Sequence, residues 1–258
     1  HSHQASLFSL CHAAFAHVLA RWGGQPDIVI GTPVLNRTHA ELQQLVGFFA
    51  NTLVLRLHCD PAQHFTALLE QSRQQLQSAQ HYQDYPFELL VAMLNPPRVA
   101  AIQPLFQIFM SMDVSDDSAL TARGLSILAP ESVQARFDLS LNLQQQQQQL
   151  VLRLDYACAL FRQETAQALL DALLLTLRQV RTEALRPLER LPLLAPTQQQ
   201  QLLAAQPVLT ENRTAFARRA DFLAQWQQQQ LRYGDDIAVA DAQQALSYQQ
   251  LEDRKSVV

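Results

Sequence analysis

Residues 5–31 read ASLFSLCHAAFAHVLARWGGQPDIVIG, and the order of signals in this stretch decides the fold class. Leu7, Cys11, Ala14, Phe15, Val18, Leu19 and Trp22 recur every three or four positions, the spacing of one buried helical face. Gly23-Gly24 then supplies a left-handed stop, and Pro26 prevents the helix from resuming. Asp27-Ile28-Val29-Ile30-Gly31 follows as a short apolar run suited to an inner strand. Helix, tight turn and buried strand in that order predict an α/β fold, a mixed sheet with helices packed on it.

Working outward, the spacing predicts a second strand over Thr52–His58, with Leu53, Leu55 and Leu57 on one face. A helix follows from Pro61, carrying Phe65, Leu68, Leu69, Ser72, Leu76 and Ala79 along one side. Pro86 suits the start of a short helix, Phe87–Leu94, which Pro96-Pro97 ends. Phe137, Leu139, Leu141 and Leu143 alternate with polar residues, and the alternation resumes at Leu150, Leu152, Leu154 and Tyr156. This reads as a β-hairpin whose polar tip is the glutamine run 144–149. Helical spacing returns over Thr165–Leu185. Pro187, Pro192 and Pro196 break it, the glutamine-rich 197–206 reads as a linker, and a boundary is expected near residue 190. Beyond it, a helix around Phe222–Leu231 and a short strand Ile237–Val239 do not amount to an independent core.

The 258 residues, 48% of them hydrophobic, suffice for one large domain or a domain plus a fragment. A net charge of −4, with lysine and arginine scattered, offers no field to hold a phosphate backbone, so nucleic acid is not an expected partner. Cys11, Cys59 and Cys158 are too far apart to start a disulfide framework or a zinc site, which fits a reducing cytosol and predicts a cytoplasmic protein. Neither a signal peptide nor a membrane span is expected. The chain opens on His1 with no methionine before Met93, which reads as an excised or incomplete piece.

Eight histidines invite a metal or acid–base reading, and their spacing argues against it. His12 and His17 are five apart, on different faces of their helix; His1 and His3 are terminal; His39 is in a polar loop; His58 and His64 flank a turn. No glycine-rich phosphate loop, nucleophile elbow or paired-cysteine motif occurs. The expectation is a chain with no catalytic residues of its own, no metal site and no complete active site.

Three strings carry a resemblance. The first is Ile30-Gly31-Thr32-Pro33-Val34-Leu35-Asn36-Arg37 with Val46-Gly47-Phe48-Phe49-Ala50-Asn51-Thr52-Leu53-Val54-Leu55-Arg56. The second is Tyr82-Gln83-Asp84-Tyr85-Pro86-Phe87-Glu88, and the third runs from Arg98 through Pro104-Leu105-Phe106-Gln107. Together they resemble condensation domains of nonribosomal peptide synthetases, whose fold is similar to that of chloramphenicol acetyltransferase. Tyr82 stands where that family carries histidine, and Val99 and Ala101 stand where it usually carries aspartate and serine. Arg136-Phe137-Asp138-Leu139, Asp155-Tyr156, Leu160-Phe161 and Leu191-Pro192-Leu193-Leu194 follow the order at the end of such domains, and Leu246-Ser247-Tyr248-Gln249-Gln250-Leu251 resembles the opening of an adenylation domain. That second likeness stops at Lys255-Ser256-Val257-Val258.

The resemblance implies residues 1–190 as a C-terminal lobe, 191–215 as a linker and 216–258 as the incomplete beginning of an adenylation domain. It implies peptide-bond formation between carrier-bound thioesters. The family's catalytic motif, two histidines followed after three residues by Asp-Gly, belongs to the N-terminal lobe and is absent from this sequence. This chain would form the opposite wall of a tunnel. Gly47, Phe48 and Asn51 would border it; the competing reading makes Phe48 and Phe49 core and Asn51 a cap on a strand end. Asp84, Glu88 and Asp138 are structural polar candidates expected to pair with arginines. Implied partners are upstream and downstream peptidyl carrier domains with their phosphopantetheine arms, the missing N-terminal lobe and the adjoining adenylation domain, with no cofactor bound directly. An epimerisation-type domain shares the fold, but the VGFFANTL string favours condensation. A noncatalytic scaffold or docking fragment, or a degenerate remnant, is the remaining alternative.

Overall fold

The computed structural model describes residues 5–97, 102–113, 135–146, 149–205, 222–240 and 244–255. Helix α1 (Leu7–Gly23) starts at Ser6, whose hydroxyl accepts the amide of Ser9 at 3.1 Å, and stops at Gly24, which adopts φ +65°. Every residue from Cys11 to Ala20 is buried. One buried face is therefore too narrow a reading. Ala13, Ala14, Ala16 and Ala20 let neighbours approach on all sides, while Trp22 is 41% exposed instead of joining the core.

Those neighbours are a sheet and two helices, α2 (Phe65–His81) and α4 (Gln163–Glu183), between which α3 (Phe87–Leu94) occurs in the chain. The sheet runs β2-β1-β3-β4-β5, built from β1 (Asp27–Val34), β2 (Asn51–His58), β3 (Ile108–Asp113), β4 (Leu139–Gln146) and β5 (Gln149–Tyr156). Its three central strands are mutually parallel and both edge strands are antiparallel to their neighbours. The register sets Ile30 against Leu55 and Ile108, Met110 against Leu141, and Leu141 against Leu154, so one face is a continuous apolar surface under the helices. Leu188 and Leu191 close the helical layer, where Arg21 donates to the carbonyls of Leu188 and Glu189, each at 2.8 Å. The predicted α/β class with a mixed sheet is what the chain forms.

Three details differ from the sequence reading. Strand β3, in the middle of the sheet, was not foreseen: Ile108, Met110 and Met112 do alternate, but Phe109 between them is also large and apolar, which hides the period. The hairpin ladder continues through Gln144↔Val151, Gln145↔Leu150 and Gln146↔Gln149, so the tip is shorter than the six glutamines expected, because backbone pairing does not need apolar side chains. Residues 147 and 148 lie outside the described set, as do Arg98, Val99 and Ala101 of the third motif string. The glutamine-rich stretch read as a linker is helical, α5 (Pro196–Ala205): proline fits the first turn, glutamine is a good helix former, and Gln198 Oε1 accepts the Ala195 amide at 3.1 Å.

The chain divides into two units after Gln199, inside α5. The second holds α6 (Phe222–Tyr233), the hairpin β6 (Ile237–Ala240) and β7 (Ala245–Ser247), and α7 (Tyr248–Lys255), with the Trp226 and Tyr248 rings 5.2 Å apart. Among the described residues no helix is long and apolar enough to cross a membrane.

Two histidines are enclosed with α1. His12 Nδ1 lies 2.9 Å from Ser72 Oγ, which itself donates to the Ser9 carbonyl at 3.0 Å; His12 therefore donates from Nδ1, and its Nε2 is buried without a partner. His17 Nε2 is likewise buried without a partner. Burial lowers both from an ordinary 6.5 to about 4, Arg21 adding to the effect on His17. The unfolded chain thus takes up protons that the folded chain refuses, so the histidines' contribution is intact above pH 6.5 and is lost as pH falls toward 4. Urea denaturation should show stability dropping over that window by up to about 1.4 kcal/mol per histidine per pH unit, with a shallower slope for His17→Leu. An equal slope for that variant refutes the assignment.

Candidate functional site

The motif strings converge at one end of the sheet. Val34 closes β1 opposite Asn51, which opens β2, so the intervening loop 35–50 must leave and return at the same point. Asn36 turns the chain at φ +50°, a value that asparagine tolerates better than most residues. Arg37 then holds the loop from inside: Nη1 donates to the carbonyls of Leu42 and Leu45, the latter at 2.9 Å, and its guanidinium carbon lies 4.5 Å from the centre of the Phe49 ring. Gly47 leaves room for that ring, since a Cβ there would stand 2.9 Å from Phe49 Cε2.

Asn51 fastens a second segment. Its Nδ2 donates to the carbonyls of Gln83 and Tyr85, both at 2.7 Å, and its Oδ1 accepts the Phe87 amide at 3.1 Å. Both amide hydrogens are thereby used, and the Oδ1 caps the first turn of α3, a cap supplied from a different strand. Beneath lies an aromatic cluster. Phe106 packs 5.7 Å from Phe87 and 5.5 Å from Phe137, while Phe109 stacks on Phe137 at 4.6 Å. Phe106 reaches this place by a tight turn in which Leu105 takes φ +71° and the Phe106 amide donates to the Pro104 carbonyl at 2.9 Å, a strained γ-turn geometry. Its ring fills the space above Gly31, where a Cβ would come within 2.2 Å of Cε2.

The sequence candidates fall unevenly on this geometry. Asn51 is half-buried with its amide committed to backbone, and Gly47 is exposed. Phe48 is 94% exposed, so the reading that placed it in the core is corrected: among the described residues no apolar layer receives it, and Phe49 instead is tucked under Arg37. Asn51, Phe48, Phe49 and Phe87, with Asp84 and Glu88 at the rim, line an open cleft of about 290 Å³. Asp84 and Glu88 are exposed, Asp138 is half-buried, and among the described residues no arginine pairs with any of them. Asp138 instead contributes its backbone, donating to the Gln107 carbonyl at 3.0 Å and accepting from Ala157 at 3.0 Å. Arg37, Gly31 and Phe106 were quoted in the motifs without being singled out. An arginine beside an asparagine at a strand end was the available signal for the first; nothing local marks the contact between Gly31 and Phe106, which are 75 positions apart.

The titratable side chains lining the cleft are Asp84 and Glu88, both exposed, and the core histidines His12 and His17 are enclosed in the helical layer. Among the described residues no cluster of histidine, cysteine, aspartate or glutamate fits a metal ion.

Asn51→Ala leaves two carbonyls and an amide without their partner and should cost about 1–3 kcal/mol in urea unfolding, with faster hydrogen exchange at the Phe87 amide. Asn51→Asp should be no milder, since its carboxylate would face the Gln83 and Tyr85 carbonyls. Gly31→Ala should cost about 1–3 kcal/mol by displacing the Phe106 ring, and markedly less in a chain already carrying Phe106→Ala. Equal costs in the two backgrounds would show that the ring is not what Gly31 accommodates.

A profile described as "Condensation domain" matches residues 1–203. The chain is 34% identical over 260 residues to malpibaldin synthetase of Mortierella alpina, covering 99% of this chain and 5% of that protein. It is 38% identical over 202 residues to surfactin synthase subunit 2 of Bacillus subtilis, covering 78% of this chain and 6% of that protein. Among solved structures, the four-domain nonribosomal peptide synthetase holo-AB3403 superposes with a TM-score of 0.70 at 23% identity over 96% of this chain and 20% of its own. A mutant starter condensation domain of the rhizomide synthetase RzmA gives a TM-score of 0.58 at 26% identity over 74% of this chain and 47% of its own. The chain spans 5% and 6% of the lengths of the two synthetases named first. With its motif strings gathered at one end of a condensation-domain sheet, the chain belongs to the condensation-domain family of nonribosomal peptide synthetases.

Proposed function

We propose that residues 1–190 form the C-terminal lobe of a condensation domain that joins two carrier-bound aminoacyl or peptidyl thioesters, with a linker over 191–215 and the beginning of an adenylation domain over 216–258. The acceptor amine attacks the donor's thioester carbonyl, a C–N bond forms, the C–S bond breaks, and the phosphopantetheine thiol leaves as the nitrogen loses its proton. That proton needs an acceptor or an electrostatic orienter at the amine. The N-terminal lobe supplies it in this reading, and the present chain supplies the facing wall, including Gly47, Phe48 and Asn51. Upstream and downstream carrier domains deliver the substrates on their phosphopantetheine arms, in the cytoplasm.

The observation that carries this reading is the Asn51 amide, which ties the VGFFANTL string to the YQDYPFE string at an open cleft. Held rigid, such a wall lowers the entropic cost of bringing two tethered reactants together, and proximity without a proton acceptor gives little.

Donor- and acceptor-loaded carrier proteins, mixed with the intact parent synthetase or with this chain alone, test the proposal by mass spectrometry of the carrier-bound product. Dipeptidyl product is expected with the intact protein and none above the enzyme-free control with the chain alone. Product from the chain alone would reveal a base within it. An intact synthetase that forms no peptide bond at this domain would favour the noncatalytic scaffold.

A further inference from the structure

Arg37 sits at a place where its charge is met by backbone dipoles and a ring face. The side chain is half-buried, and among the described residues no carboxylate reaches it. Its guanidinium is occupied instead by the carbonyls of Leu42 and Leu45, by a longer contact to the Gly47 carbonyl at 3.5 Å, and by the face of Phe49. Carbonyl bonds from a charged donor are roughly twice as strong as neutral ones, and a flat cation over a ring adds to them.

What these contacts hold is a segment that has little else to hold it. Between Asn36 and Asn51 the regular structure is one 3₁₀ turn, Ala40–Leu42, and the large side chains that follow face water: Leu45 is 52% exposed, Val46 fully exposed and Phe48 94% exposed. Left unrestrained, apolar side chains on such a loop would fold back onto the nearest apolar surface. Arg37 fixes the carbonyls at 42, 45 and 47, which sets the path of the chain immediately before Phe48. Lysine cannot replace it, because an ammonium is a point donor with no plane to lay on Phe49 and no fork to span two carbonyls.

We infer that Arg37 is a positioning residue for condensation: by holding the loop up to Gly47 through backbone carbonyls and Phe49 it places Phe48 at the cleft wall, and it touches no substrate itself. The inference rests on the functional reading above, and its two layers are measured separately. In the 258-residue chain, the amides of Leu42, Gln43 and Leu45 are hydrogen-bonded within the loop and report its order. Arg37→Lys should speed their exchange about tenfold or more, the effect of losing one bond to a charged donor, with Ile30 and Leu55 in the strands unchanged. In the intact synthetase, Arg37→Lys should lower kcat/KM for condensation about tenfold or more while the melting temperature stays near that of the parent. Methylguanidinium added to Arg37→Ala should restore part of the rate, and if Arg37→Ala does not fold, Arg37→Lys carries the test alone.

Unchanged loop exchange overturns the inference. So does a variant whose melting temperature falls while turnover per folded molecule stays normal, which is the result of a purely structural role. A parent synthetase that makes no peptide bond, with loop exchange still governed by Arg37, overturns the functional reading and reduces Arg37 to loop architecture. A competent parent whose Arg37 variants condense normally overturns the Arg37 inference alone.

Discussion

Everything in the first unit depends on α1 being buried on all sides. A helix with water along one flank tolerates polar residues there; this one lies against the sheet and between α2 and α4, so its neighbours contact it from three directions. Its alanines allow that approach, and the two histidines it carries must stay neutral to be enclosed. The same constraint removes the core from chemistry. Burial also pushes the thiols of Cys11 and Cys59 up to about 12, so neither exists as a thiolate near neutral pH.

At the loop end of the sheet the organising device is different. The helical layer is held by apolar area, whereas the loop end is held by side-chain amide and guanidinium groups bonded to backbone carbonyls. Loops cannot satisfy their own backbone as helices and sheets do, and a polar side chain from a fixed strand is a compact substitute. Asn51 works from the first residue of β2 and Arg37 from just beyond the last residue of β1, so both anchors are set by the antiparallel pairing of Val34 with Asn51. The strained turn at Leu105 fits the same logic, since it brings Phe106 over Gly31 and under Phe87, joining the third motif string to the other two.

The regular elements were legible because their periods are local. The amphipathic spacing of α2 and α4 and the alternation of β4 and β5 are each visible within a window of a dozen residues, and the elements form there. What could not be read is what depends on contacts across the chain. Phe109 belongs to the aromatic cluster on the sheet face away from α1, α2 and α4, so β3 looks apolar on both faces and its alternation vanishes. Phe48 looks like core from composition, yet among the described residues nothing apolar covers it on loop 35–50 and it is 94% exposed. The site was legible as strings but not as geometry: the likeness named Gly47, Phe48 and Asn51 without saying that Asn51 points its amide at the backbone of residues 83–87.

Under the proposed role, that geometry limits the kind of wall this end of the sheet can form. Asn51 has no donor left for a substrate, Arg37 is directed at loop carbonyls, and Asp84 and Glu88 stand at the rim in solvent. Asn51 and Arg37 are thus committed to backbone, while the lining still offers Thr52 and the Asp84 and Glu88 carboxylates, so under the proposed role shape acts beside these few polar groups in any selectivity. Shape discrimination is weak for single methylene groups and strong only where a rigid surface excludes what does not fit. On the proposed reading the reactants arrive on tethers, so the carriers decide what arrives and a fixed wall has only to keep two thioester arms aligned. Under the proposed role, rigidity at residues 42–51 is therefore the property this end of the sheet is built to supply, and the polar side chains there act by holding backbone in place.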